Sequence, residues 1–225
     1  LEKLEATLVD RKDEIALVSV MHSNNEVGSI QPIKQISALA KRFDVPVHTD
    51  AVQSFGKTPL NFKELEVFAM TLSAHKIGGP VGVGALVLKK GVDITPILHG
   101  GGQERDIRSG TLNAAGIVSF VAASQSAIRD LTANAQKVEN LRAKLISAIQ
   151  EQIPDATLNG VMQGEVLPGI ANISFPNTES DSLLVLFDAE GIACSTGSAC
   201  SAGVLEACHV LLAMGRTEKE ARASL

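Results

Sequence analysis

Apolar residues in the first half of the chain fall into short runs that alternate with an amphipathic stretch. Ile15 to Met21 (IALVSVM) is almost continuously apolar, the pattern of a strand buried on both faces. Pro32 then opens a helix to about Phe43, with Ile33, Ile36, Leu39 and Ala40 on one face. Val45 to Thr49, Val67 to Leu72 and Val83 to Leu88 read as further strands. This alternation predicts an α/β domain with a parallel or mixed sheet. After the glycine-rich His99-Gly100-Gly101-Gly102 the period changes. Thr111 to about Gln152 is helical, with a break between Asp130 and Asn134, and Pro154 and Asn159-Gly160 end it. Beyond lie a strand (Ile170 to Phe175), a helix (Ser182 to Glu190, with Asp181 as its cap), a short strand (Ile192 to Cys194) and a helix (Leu205 to Met214). Residues 1–112 therefore read as part of a large α/β domain. Residues 113–225 read as a long linking helix and a smaller α+β domain.

Composition refines this picture. A chain of 225 residues, 45% hydrophobic and 20% charged, suits one large globular domain or two small ones. Seven Phe with no Trp and no Tyr leave the core to Val, Ile, Leu and Ala. The net charge of −5, without any basic run, gives no reason to expect nucleic acid. No apolar stretch reaches the roughly 18 residues of a membrane span. The start, Leu1-Glu2-Lys3-Leu4-Glu5, lacks the features of a targeting peptide, and the end, Ala221 to Leu225, lacks a helix stop. Both read as cuts through structure, so a fragment is expected. Three cysteines are an odd number for a disulfide framework, and free thiols in a reducing cytoplasm are expected.

Candidate chemistry sits where strands end. Ser73-Ala74-His75-Lys76-Ile77-Gly78-Gly79-Pro80 follows a strand, and a lysine held there near a cleft can form an imine if its surroundings favour the free amine. A surface lysine in a turn is the rival reading. His48-Thr49-Asp50-Ala51-Val52-Gln53 ends another strand, where ligands of open α/β sheets bind. Asp50 is placed to pair with a protonated pyridine nitrogen or to cap a helix. Asn24-Asn25-Glu26-Val27-Gly28 is a turn whose amide could reach a ring hydroxyl. The segment from His99 to Thr111 carries glycines, Arg105 and Arg108, suited to phosphate or carboxylate, or to a plain structural loop. Small residues surround Cys200 in Ser195-Thr196-Gly197-Ser198-Ala199-Cys200, which suits an accessible nucleophile. Cys194, in its short strand, is expected to be buried and inert, and Cys208 to pack from a helix. No Cys-x-x-Cys pair supports a metal site.

Together and in this order, NNEVG, HTDAVQ, SAHKIGGP, GGGQERDIRSGT and STGSAC resemble the cysteine desulfurases of the class V (fold type I) aminotransferase family, in the subgroup serving iron–sulfur cluster assembly. The resemblance runs along essentially the whole chain. It implies a pyridoxal 5'-phosphate (PLP) transferase fold of type I, with Lys76 carrying the cofactor as a Schiff base and moving protons on the substrate. It implies that Asp50 pairs with the pyridine nitrogen, that Gln53 and Asn25 bond the ring hydroxyl oxygen, and that Ser73 and His75 bind the phosphate. Thr111 would reach the phosphate of a neighbouring subunit, implying a homodimer. Cys200 would take sulfur from L-cysteine as a persulfide, for delivery to an acceptor such as an iron–sulfur scaffold protein.

Some family features are missing. An N-terminal glycine/threonine turn for the phosphate, a histidine that stacks on the ring and a C-terminal arginine for the substrate carboxylate are not in this chain, and Val81 stands where a lysine is common. The fragment is therefore expected to be weakly active or inactive alone. Two other readings remain. One is a different class V enzyme, such as a selenocysteine lyase or an aminotransferase. The other is a non-catalytic scaffold.

Overall fold

The computed structural model describes residues 1–162, 165–197 and 207–225. They form two compact units. The first comprises Leu1–His22 with Gln31–Thr132, the second Ser23–Ile30 with Ala133–Leu225.

The first unit is built on a four-stranded mixed sheet, ordered β1 (Val18–Met21), β2 (Val47–Asp50), β3 (Ala69–Ser73) and β4 (Gly84–Leu88). The first three strands are parallel, and β4 runs antiparallel to β3. Helix α2 (Ile33–Lys41) buries Ile33, Ile36, Leu39 and Ala40, the face its sequence spacing predicts. Ile33, Ile36 and Leu39 each contribute about 1.5–3 kcal/mol on full burial. The helix stops where Asp44 adopts a left-handed φ of 58°, a conformation an aspartate tolerates, and the chain reverses into β2. Leu8 of α1 (Glu2–Arg11) completes this core with Val18, Val47, Val67, Met70 and Leu72.

Alternation along the strands gives the sheet a closed side and an open side. Val47 and Thr49 of β2, like Met70 and Leu72 of β3, are buried, while His48, Asp50, Thr71 and Ser73 point to the opposite, more open side. The open side also changes the reading of the first strand. Only Val18 is fully buried in β1, Ser19 and Met21 are exposed, and Leu17 lies outside the strand. As an edge strand, β1 is covered on one face rather than two.

A short helix, α3 (Phe62–Leu65), precedes β3, and the later helical stretch breaks at Asp130, giving α4 (Ala114–Arg129) and α5 (Leu131–Gln152). Helix α4 belongs to the first unit, which ends at Thr132. Phe120 of α4 packs against the first core, edge-on to Phe55 at 6.2 Å, so α4 folds with the sheet.

In the second unit β5 (Thr157–Asn159) pairs antiparallel with β6 (Asn172–Ser174). The end of the chain pairs along the other side of β6, through Ile173 and Leu225. The segment 23–30 joins this unit through the Ser29–Val166 bridge and the Leu167 N–H donating to the Gly28 carbonyl at 2.8 Å.

Three expectations in this half are corrected. Ile192 to Cys194 is not a strand. Gly191 (φ 73°) ends α6 (Ser180–Ala189), its N–H bonding Asp188 and that of Ile192 bonding Phe187, so the Ile192 amide closes a helix instead of opening a ladder. Cys194 is consequently exposed, not buried. Asp181 is not the cap; Glu179 occupies that position, and Asp181 lies in the first turn, where its charge complements the helix dipole. The last helices are α7 (His209–Ala213) and α8 (Glu218–Arg222).

Candidate cofactor site

The carboxyl ends of β2 and β3 lie side by side, with Asp50 opposite Thr71 in register. Such strand ends are where open α/β sheets bind ligands. Asp50 is exposed, and its Oδ1 accepts from the Val52 N–H at 2.9 Å. It therefore caps a turn after β2, where no helix follows, while the residue stays exposed. Ser54 and Phe55 N–H groups bond the Ala51 carbonyl and shape that turn. Gln53 is half-buried on it, and its Oε1 accepts from Lys57 Nζ at 3.2 Å. The amide N–H2 is then the end left to donate to a ligand.

Strand β3 ends at Ser73 on the same open side. Ala74 is buried, and one turn of 3-10 helix, His75–Ile77, carries Lys76 into an exposed position. Ser73 Oγ and His75 Nδ1 lie 2.6 Å apart, so a hydroxyl and an imidazole are already oriented together. This turn packs against the previous one at Gly56. A Cβ on Gly56 (φ 71°) would stand 2.9 Å from Ile77 Cγ2 and 2.9 Å from Ala127 Cβ, so only glycine fits without movement. Beneath the site a polar chain crosses three strands. His48 Nδ1 meets Ser19 Oγ at 2.8 Å and His48 Nε2 meets Thr71 Oγ1 at 2.7 Å.

Two further residues belong to this neighbourhood without any clear mark in the sequence. Lys57 is half-buried, and burial pushes its amine down, with the Lys76 charge adding to the effect. Its sequence signal is slight: a lysine four residues after Gln53 in one turn. His22, just past β1, is buried with Nδ1 2.8 Å from Ser54 Oγ, and burial lowers its pKa.

Thr111 is exposed at the end of the loop that the Gly110 N–H closes on Gln103 Oε1 at 2.9 Å. Asn25 folds with the second unit. There the Asn24 side chain accepts the Glu26 and Val27 N–H groups, each at 2.9 Å, and forms the turn, leaving Asn25 half-buried beside it. In the same unit the Cys208 thiol donates to the buried Glu26 carboxylate, and burial and that carboxylate push its pKa up. Cys208 begins α7 as its N-cap and is held there as a thiol. Cys200 lies outside the described residues. Among the described residues no cluster of His, Cys, Asp and Glu could hold a metal ion, and no helix is long and apolar enough to cross a membrane.

The donor set in the first unit fits PLP: an accessible primary amine at Lys76, a carboxylate at Asp50, an amide at Gln53 and the Ser73–His75 pair for a phosphate. The chain is 49% identical over 213 residues to an "IscS-like cysteine desulfurase" of Mycobacterium tuberculosis, covering 95% of this chain and 54% of that protein. It is 41% identical over 202 residues to "Cysteine desulfurase NifS" of Azotobacter vinelandii, covering 90% and 50%. The structure of a NifS-like protein from Rickettsia africae superposes with a TM-score of 0.87 at 36% identity, over 99% of this chain and 59% of that one. The chain thus spans about half the length of these curated relatives. The family model described as aminotransferase class-V matches residues 1–225, so every element from α1 to α8 lies within the match, and the chain belongs to the class V aminotransferase family.

Proposed function

We propose that the whole protein is a PLP-dependent cysteine desulfurase that converts L-cysteine to L-alanine and collects the sulfur as a persulfide on Cys200. The observation that carries this reading is the convergence of Asp50, Gln53, Ser73, His75 and Lys76 at the carboxyl ends of two adjacent parallel strands. The names of the relatives support the reaction class.

Bound there, PLP supplies an electron sink for chemistry at the substrate Cα. Lys76 Nζ would hold the cofactor at its aldehyde carbon and move a proton at the substrate Cα. The Asp50 carboxylate would keep the pyridine nitrogen protonated, and the Gln53 amide, with Asn25, would donate to the ring hydroxyl oxygen. Ser73 and His75 would donate to the phosphate, and Thr111 would do so for a second subunit of a homodimer. The Cys200 thiolate attacks the substrate sulfur. The carbon–sulfur bond breaks, a sulfur–sulfur bond forms, and the carbon takes up a proton as alanine. A protein acceptor, such as an iron–sulfur scaffold, then removes the persulfide sulfur in a reducing, cytoplasmic setting.

Alanine release from L-cysteine by the full-length protein with added PLP, alongside mass spectrometry of Cys200, tests the proposal. The expected result is alanine formation with one extra sulfur on Cys200, both lost in Cys200→Ala. Undiminished turnover in Cys200→Ala would turn the reading toward an aminotransferase. Failure of borohydride to fix PLP to Lys76 would remove the PLP reading altogether.

A further inference from the structure

The turn that carries Asn25 is held from within by its own side chains and from outside by a distant residue. Of the five residues Asn24 to Gly28, four are buried and Asn25 is the one left partly open. Asn24 Oδ1 accepts the Glu26 and Val27 N–H groups, and the Gly28 N–H donates to the Asn24 carbonyl at 3.1 Å. Val27 packs with Leu211 and Ala221. A Cβ on Gly28 (φ 76°) would stand 3.1 Å from Val166 Cγ2, so the far end of the turn is pressed against the chain that follows β5.

Glu26 has no obvious place in such a turn. It is 7% exposed, and a buried carboxylate is costly unless a donor meets it. The donor is the thiol of Cys208, the N-cap of α7. The same sulfur accepts from the Leu211 N–H at 3.5 Å. An apolar pair at these two positions would extend the cluster of Val27, Leu211 and Ala221 at lower cost, since replacing a buried charged pair by apolar residues is often neutral or stabilising. What a directed bond adds is a fixed position, and the residue it fixes is the chain neighbour of Asn25.

We propose that Cys208 and Glu26 are positioning residues for Asn25: the thiol–carboxylate bond anchors the turn to the start of α7 and so sets the direction in which the Asn25 amide is presented. The assignment rests on the reading of Asn25 as a ligand of the cofactor's ring hydroxyl oxygen. Asn24 shapes the turn internally, and the bond from Cys208 ties that shape to the helix, so Asn25 is held through both of its chain neighbours.

The test is equilibrium dialysis of PLP against the full-length protein, with variants compared by their dissociation constants. Cys208→Ala removes the donor. Glu26→Met removes the acceptor and puts an apolar side chain of similar length in a buried place. Each is expected to weaken PLP binding about three- to ten-fold. Cys208→Ser is expected to bind PLP like the wild type, because a hydroxyl can both donate to a carboxylate and accept from an N–H. In an Asn25→Ala background, Cys208→Ala should add less than about two-fold, since a residue that acts through Asn25 has nothing left to position. The full loss in that background would show a general effect on the fold and overturn the proposal. Wild-type binding in Cys208→Ala, or in Glu26→Met if Cys208→Ala does not fold, would overturn it too. Wild-type protein that takes up no PLP would overturn the functional reading and this assignment with it, whereas normal uptake by the wild type and unchanged variants would overturn the assignment alone.

Discussion

Two groups of polar residues, one in each unit, show opposite uses of the same side-chain chemistry. At the ends of β2 and β3, Asp50, His75 and Lys76 are exposed, Gln53 and Ser73 are half-buried, and the bonds among them are few. In the second unit Asn159, Asn172, Ser174 and Ser224 are each no more than 5% exposed and bond to one another. Asn159 Nδ2 donates to Asn172 Oδ1 at 2.7 Å and to Ser174 Oγ at 2.8 Å, and Ser174 and Ser224 hydroxyls lie 2.7 Å apart. Arg142 of α5, 6% exposed, donates to the carbonyls of Val161, Met162 and Ile170. Polar groups that bond to one another inside the protein, here with only Asn159 Oδ1 left without a partner among the described residues, hold loops and strands together. Polar groups that converge on an open face, with donor and acceptor capacity left over, are available to a ligand.

The contrast is sharpest for one residue of each kind. Lys76→Ala should lower turnover of the full-length, PLP-loaded enzyme by about 10²–10⁴-fold, while leaving stability within about 0.5 kcal/mol, because an exposed side chain is removed. Steady-state alanine release and urea melts read the two quantities. A large loss of stability would mean that Lys76 belongs to the structural kind.

Arg142→Met should show the reverse. It leaves three carbonyls without their guanidinium donor, at a cost of about 3 kcal/mol of stability, with no change in PLP fixation per folded molecule. Urea midpoints and borohydride trapping on the folded fraction check it. A melt unchanged from wild type would break the comparison from the structural side.

Much of this can be read from the amino acids, for reasons tied to particular residues. The spacing of Ile33, Ile36, Leu39 and Ala40 determines α2, and the alternation in His48-Thr49-Asp50 puts Asp50 on the open face, because both follow from local periodicity. The roles of Ser73, His75 and Lys76 come from family resemblance, since a lysine in a glycine-rich turn has no mark of its own. The elements that sequence pattern misassigns depend on tertiary contacts. Ile192 is apolar enough for a strand, but its amide is taken by the end of α6. Phe120 and Ala127 of α4 pack on the first unit, contacts that helical periodicity alone does not specify. The contact of Gly56 with Ile77 cannot be singled out by pattern, because it joins two turns about twenty residues apart in the chain.

That contact gives a third prediction, intermediate in size and touching both kinds of residue. Gly56→Ala places a methyl against Ile77 and Ala127 at a left-handed φ, so it should cost about 1–3 kcal/mol and also slow PLP fixation at Lys76. Ala127→Gly removes one of the two clashing atoms, and combining it with Gly56→Ala should recover part of the fixation rate. Fixation at the wild-type rate in Gly56→Ala alone would show that the two turns are not mechanically linked.

The smallest effect concerns His22, a buried group beside the open site. Burial lowers its pKa below the ordinary histidine value, so the unfolded chain binds the proton more readily than the folded one. Its contribution is therefore fully present above about pH 6.5 and is lost as the pH falls from there toward the folded-state pKa, at no more than about 1.4 kcal/mol per pH unit. His22→Gln keeps a hydrogen-bonding partner for Ser54 but cannot titrate. The difference in urea stability between wild type and His22→Gln should therefore be constant at neutral and mildly alkaline pH and should move in favour of the variant below about pH 6.5. A difference that stays flat through that range would mean that His22 titrates alike in both states, placing it with the open groups of the strand ends rather than with the buried polar network of the second unit.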